Sequence, residues 1–120
     1  MSYSDYLKTD HWQKVRTETL INHPNCVICD SSKNLQIHHK KYQYKGESIL
    51  FNEAKKDLYT LCASCHRLIH HYFGIEVHKL NKIKLRIRRL LELGIVKNKA
   101  FWIVSNPDLY VTVLDKAKSL

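Results

Sequence analysis

The sequence predicts an α+β protein, a small unit of strands and helix stapled by one zinc ion, with a helix before it and helices after it. Three observations predict this. Two C-x-x-C pairs, Cys26/Cys29 and Cys62/Cys65, are separated by 32 intervening residues. Between them Leu35-Gln-Ile-His-His39 alternates with the period of two that a half-buried strand needs. On either side, apolar residues recur at helical spacing among charged ones.

The bulk properties agree. A chain of 120 residues with 44% hydrophobic content suits one folded domain with a modest core, and a core of that size is often supported by a structural metal. There are 20 Lys and Arg against 11 Asp and Glu, a formal charge of +9. Four thiolates on a divalent ion lower that only slightly. Such an excess points to a polyanionic partner, because basic side chains that neutralise phosphates release condensed counterions. Charge alone does not separate this from a solvated basic surface. The first residues, Met1-Ser-Tyr-Ser-Asp-Tyr6, lack the basic and apolar regions of a signal peptide, and no apolar run reaches the ~20 residues of a membrane span. The expectation is therefore a cytoplasmic protein with no membrane partner. In that reducing compartment paired cysteines read as metal ligands rather than disulfides.

In chain order, residues 4–22 are expected to be helical, with Tyr6, Leu7, Trp12, Val15, Leu20 and Ile21 on an apolar stripe. His23-Pro24-Asn25 breaks that helix. Cys26-Val-Ile-Cys29 forms a knuckle and Asp30–Asn34 a turn. The strand at Leu35–His39 continues in β-like fashion through Tyr42 and Tyr44 to a turn at Gly46. Residues 48–57 connect, with a short helical piece over 52–56, and Leu58–Leu61 leads into the second knuckle. A helix runs from that knuckle to Phe73, where Gly74 ends it. Residues 76–93 form a strongly amphipathic helix, with Lys82, Arg86 and Arg89 on one face and Gly94 in the C′ position. After Ala100–Val104, Ser105-Asn-Pro-Asp108 opens a last helix reaching Lys118, with Pro107 at its first position. Residues 1–75 read as the core with its N-terminal helix, and residues 76–120 as a helical extension packed on it within one domain.

Two constellations carry chemistry. The four cysteines, Cys26, Cys29, Cys62 and Cys65, suit one tetrahedral zinc, and a site closed by four thiolates has no position for substrate. That zinc is structural by its own chemistry. The second constellation is histidine. His38 and His39 are adjacent on the predicted strand, so they face opposite sides and do different work. His66 follows Cys65, and His70 lies one helical turn later, a spacing that suits a divalent metal. A histidine pair on a helix is by itself more often a surface or core feature. Four histidines brought to one zinc-stapled hairpin and helix are harder to explain as packing.

Cys26-Val-Ile-Cys29, Leu35-Gln-Ile-His-His-Lys-Lys-Tyr42 with Gly46-Glu47, and Asp57-Leu-Tyr-Thr-Leu-Cys-Ala-Ser-Cys-His-Arg-Leu-Ile-His70 together resemble the small, zinc-containing members of the HNH endonuclease superfamily. Tyr6-Leu7 and Trp12 with Arg16 resemble their lead-in, and the likeness covers residues 5–71. It implies a ββα-metal core and a hydrolase that cuts DNA phosphodiesters. It implies His39 as the general base toward water, His38 and His66 as ligands of a catalytic divalent metal, and His70 as a third ligand. Asp57 stands where the motif has Asn, the residue that orients the base; it accepts hydrogen bonds but cannot donate as Asn does. The metal would be Mg²⁺, Mn²⁺, Ni²⁺ or Zn²⁺, since histidine ligands admit several. An imidazole suits the base role near neutral pH.

Lys40, Lys41, Lys45 and Arg67 flank this constellation and are candidates for phosphate contacts, with Lys82, Arg86 and Arg89 extending the footprint. Each is also explained by solvation alone, and Trp12 and Tyr42 read as packing residues. DNA is the expected partner. The resemblance to small proteins of phages and mobile elements implies other proteins of such elements as further partners. The competing reading is a non-catalytic zinc-stapled module that binds nucleic acid through its basic surface; it has no need of His39 or His66.

Overall fold

A computed structural model describes residues 2–39, 43–44, 47–48, 58–74 and 80–119, with side-chain burial given outside 43–48 and 80–82. The architecture is α+β. The described elements are α1 (Tyr3–Tyr6), α2 (Asp10–Asn22), β1 (Leu35–His39), β2 (Gln43–Tyr44), β3 (Glu47–Ser48), β4 (Leu58–Cys62), α3 (Ala63–Phe73), α4 (Leu80–Glu92), α5 (Lys97–Val104) and α6 (Pro107–Lys118). They fall into two compact units, residues 1–63 and 64–120.

In the first unit the expected helix over 4–22 is two helices. Thr9 adopts an extended conformation and its side chain accepts from the Trp12 amide, so it caps α2 instead of continuing α1. The Thr9 hydroxyl also donates to the Tyr6 carbonyl at 2.7 Å, tying the two helices at the break. Ser2 and Asp5 form a reciprocal capping box at the start of α1.

β1 and β4 pair antiparallel, with Leu35 opposite Cys62, Ile37 opposite Thr60, His38 opposite Tyr59 and His39 opposite Leu58. β2 and β3 form a separate two-residue ladder. The sheet face bearing Ile37, His39 and Leu58 lies against Tyr6 and Trp12, with Leu7, Val15 and Leu20 packed around them. All five residues of β4 are buried. The turn at Gly46, the helical piece over 52–56 and Tyr42 lie outside the described residues.

In the second unit α3 buries Cys65, Leu68 and Ile69. Ile87 and Leu90 of α4 and Phe101 of α5 are fully buried, with Ile103, Val104 and Tyr110 nearly so. Each such aliphatic or aromatic side chain contributes roughly 1.5–3 kcal/mol relative to exposure. Ile87 and Leu90 belong to the stripe expected on residues 76–93; positions 76–79 lie outside the described residues. Gly74 and Gly94 have φ of +80° and +90°, the left-handed conformation expected where a helix ends at glycine. α5 is an element that the sequence reading left unassigned. Val96 gives it no side-chain cap, and although its buried residues Ala100, Phe101, Ile103 and Val104 keep helical spacing, exposed Trp102 between them makes the segment read as one unbroken apolar run. No helix among the described residues is long and apolar enough to cross a membrane.

Candidate metal centre and histidine sites

The first knuckle is shaped by its backbone. The Cys26 amide donates to the Ser31 carbonyl at 2.8 Å, and the Asp30 amide donates back to the Cys26 carbonyl at 3.0 Å. Asp30 takes a positive φ of 62°, a conformation that Asp and Asn tolerate better than most residues, and this lets the chain reverse. Asn25 bridges the loop by donating to the Asp30 carbonyl. The knuckle is docked to β4 by the Val27 amide, which donates to the Thr60 carbonyl at 3.0 Å. Buried Thr60 in turn donates its hydroxyl to the His23 carbonyl at 2.8 Å, holding the end of α2.

Cys62 ends β4 and Cys65 lies in the first turn of α3. The four sulfurs of Cys26, Cys29, Cys62 and Cys65 all lie within 4.8 Å of one another. The Cys29 and Cys62 sulfurs are 3.7 Å apart. Bonds of about 2.3 Å in a tetrahedron set thiolates about 3.8 Å apart, so the donor set fits a thiolate-bound ion such as structural zinc. Cys26, Cys62 and Cys65 are buried and Cys29 is partly so. The cluster is positioned to bind a metal.

His38 and His39 point to opposite faces of β1, as their adjacency requires. His38 is partly buried, and its Nε2 lies 3.0 Å from Oε1 of Gln36, the neighbour two residues back on the same face. His39 is only 3% exposed. Its ring stacks on Trp12 with centroids 4.8 Å apart and planes 26° apart. Its Nδ1 lies 3.1 Å from the Tyr3 hydroxyl, and the Tyr6 ring stands 6.0 Å away.

On α3 the Nε2 atoms of His66 and His70 are 2.7 Å apart. Nitrogen ligands on one tetrahedral ion with bonds of 2.0–2.1 Å sit about 3.3–3.4 Å apart, so this pair must open by more than about half an ångström to share one. Burial first, and the neighbouring His70 second, hold the His66 imidazole below the usual histidine pKa. Both effects favour the neutral ring, which is the form that ligates.

Of the candidate phosphate contacts, Arg67 and Arg89 are exposed, and the Arg86 guanidinium lies over the Tyr110 ring at 4.9 Å, where it also covers the α6 surface. Lys82 belongs to α4, where only its backbone is described. Asp57, Lys40, Lys41 and Lys45 lie outside the described residues. Tyr3 is the residue that sequence reasoning missed. It stands 36 positions before His39, and no periodicity links an isolated tyrosine to a distant strand. Trp12, read as packing, does pack, but its partner is the chemically interesting histidine.

Comparison with protein-family models, with curated proteins and with solved structures finds no match to this chain.

Proposed function

We propose that this protein is a zinc-stapled, metal-dependent endonuclease of the HNH type that hydrolyses DNA phosphodiesters. The observation that carries the reading is the division of labour around the hairpin. A four-cysteine cluster closes its base, adjacent histidines of β1 face opposite sides, and the helix leaving the second knuckle presents a histidine pair with facing Nε2 atoms. A cluster whose only task is to hold a fold has no use for that helix pair.

In this reading the cysteine cluster holds the structural zinc and contributes no chemistry to the cut. His38, His66 and His70 are the ligands of a second divalent ion, which when bound supplies Lewis-acid stabilisation of the scissile phosphate and the leaving oxygen. His39 accepts a proton from water, the water oxygen attacks phosphorus in line, and the bond to the 3′ oxygen breaks, that oxygen taking its proton from solvent. The products are a 5′ phosphate and a 3′ hydroxyl. Asp57 orients the catalytic loop that carries the base. Lys40, Lys41, Lys45, Arg67, Lys82, Arg86 and Arg89 supply charge along the DNA backbone.

A second reading, the non-catalytic zinc module that binds nucleic acid, draws on one specific observation. His39 is buried against Trp12, where it also serves as a core residue. Nicking of supercoiled plasmid with added Mg²⁺, Mn²⁺ or Ni²⁺ separates the two. The nuclease reading expects metal-dependent nicking that falls on the order of 10²- to 10⁴-fold in His39→Gln, which keeps the volume of the ring and removes the base. DNA binding without cleavage under any of the metals would establish the binding module instead.

A further inference from the structure

If His39 is the base, something must hold its ring so that one nitrogen, and always the same one, takes the proton. Hydrogen-bond partners choose a histidine's tautomer, because the nitrogen that donates carries the hydrogen and leaves the other with its lone pair. At His39 the partner seen at Nδ1 is the hydroxyl of Tyr3, 3.1 Å away.

Tyr3 is well placed for that task. It is the first residue of α1, and its backbone is held on both sides. Before it, Ser2 and Asp5 exchange hydrogen bonds: the Asp5 amide donates to the Ser2 hydroxyl at 3.1 Å and the Ser2 amide donates to the Asp5 carboxylate at 3.2 Å. After it, the Tyr3 carbonyl accepts from the Leu7 amide at 3.0 Å. Tyr6, 1% exposed, anchors the short helix in the core. The Tyr3 ring itself is 41% exposed, so little of its position is explained by burial, whereas its hydroxyl reaches a histidine that is almost wholly inside. Trp12 fixes the plane of the imidazole by stacking. Stacking is nearly the same for the two ring orientations related by a half-turn about Cβ–Cγ, and a hydrogen bond at Nδ1 selects one of them.

We propose that Tyr3 is a positioning residue for His39, its phenol oxygen accepting from Nδ1–H so that the lone pair is kept on Nε2, an atom buried in this structure that the attacking water must reach. The inference rests on the nuclease reading for its consequence and on the Tyr3–His39 contact for its substance. The N-terminal capping box is then part of the catalytic apparatus, as the device that keeps Tyr3 in place.

The test uses the full-length, zinc-loaded chain labelled with ¹⁵N histidine. Long-range proton–nitrogen spectra read the tautomer of His39 in the parent and in Tyr3→Phe, which keeps the ring and removes only the hydroxyl. Plasmid nicking with Mn²⁺ is measured on the same samples. The expected result is an Nδ1–H tautomer in the parent and a mixture in Tyr3→Phe. The variant's kcat should fall roughly 10- to 100-fold with KM changed less than about twofold, as expected when a reacting group is misaligned but substrate binding is kept. Zinc content and melting temperature should be unchanged. An Nε2–H tautomer in the parent, or a Tyr3→Phe protein with parental tautomer and kcat, would overturn the proposal. If the parent fails to nick with Mn²⁺, Mg²⁺ or Ni²⁺, the nuclease reading fails by itself. The spectra then still decide the contact: loss of the Nδ1–H form in Tyr3→Phe supports it, and its persistence refutes it.

Discussion

At His39 one side chain serves two ends. Its ring stacks on Trp12 and closes the face shared with Ile37 and Leu58, so it contributes to stability whatever chemistry it performs. Truncating a ring that size in a core costs about 3–5 kcal/mol when the site cannot collapse. His39→Ala should therefore lower stability by about that range in chemical denaturation, whereas His39→Gln should lose cleavage with a much smaller loss of stability. A His39→Ala protein as stable as the parent would mean the ring is not part of the core. Asp5 makes a second prediction at this scale. Its hydrogen bonds from the Ser2 side chain and backbone hold its carboxyl below the usual aspartate pKa. Because the folded value is depressed, the stability it contributes is present above the ordinary value and is lost as pH falls through the folded one. Amide signals of α1 should begin to fray as acid titrates Asp5, and Asp5→Ala should show the frayed spectrum already at neutral pH. An Asp5→Ala protein with parental α1 signals at neutral pH would dissociate the capping box from the order of this helix.

Among the elements, α4 makes the clearest claim on a polyanion. It packs five basic residues into thirteen, and its fully buried Ile87 and Leu90 turn one side inward while Arg89 stays exposed. Arg86 also lies over the Tyr110 ring, and with Lys82 and Arg89 it makes up the basic face to be probed. If all three meet phosphates, changing them together to Gln should flatten the plot of log K against log salt by about 3 units, since each contact contributes roughly 0.9. An unchanged slope in a DNA-binding titration would make this face a solvated one. The elements also show what was legible in the sequence. The knuckles, β1, α3, α6 and the glycine stops were readable because each has a local cause: a paired ligand, an alternation, a proline at the first helical position or a positive φ. The break between α1 and α2 turns on a single threonine choosing to cap, and α5 has no side-chain cap and a period masked by the apolar but exposed Trp102. The Cys₄ cluster was legible because its ligands are paired by spacing, whereas the Tyr3–His39 contact exists only once the N-terminal helices fold over β1.

For the whole molecule the question is what the metal stabilises. The first unit owns three of the four cysteines and buries Tyr6, Trp12, Ile28, Ile37, Leu58, Tyr59 and Leu61, whereas the second buries Ile69, Ile87, Leu90, Phe101 and Ile103 with one cysteine among them. Zinc held by four thiolates contributes on the order of 10 kcal/mol or more in small modules, so the unit that owns three of the ligands should lean on it most. The chain carries two tryptophans, one in each unit: Trp12, 5% exposed, and Trp102, 47% exposed. They make the two units separately observable. Stripping the metal with a strong chelator at neutral pH should shift the emission of Trp12 toward that of a solvated indole, read in Trp102→Phe. The far-ultraviolet helical signal of α4–α6 should persist and melt on its own. Cys62→Ser should give the same spectrum without chelator, because three thiolates and a hydroxyl no longer close the site. A single melt in which Trp12 and the helical signal are lost together on chelation would mean that the second unit depends on the zinc as much as the first.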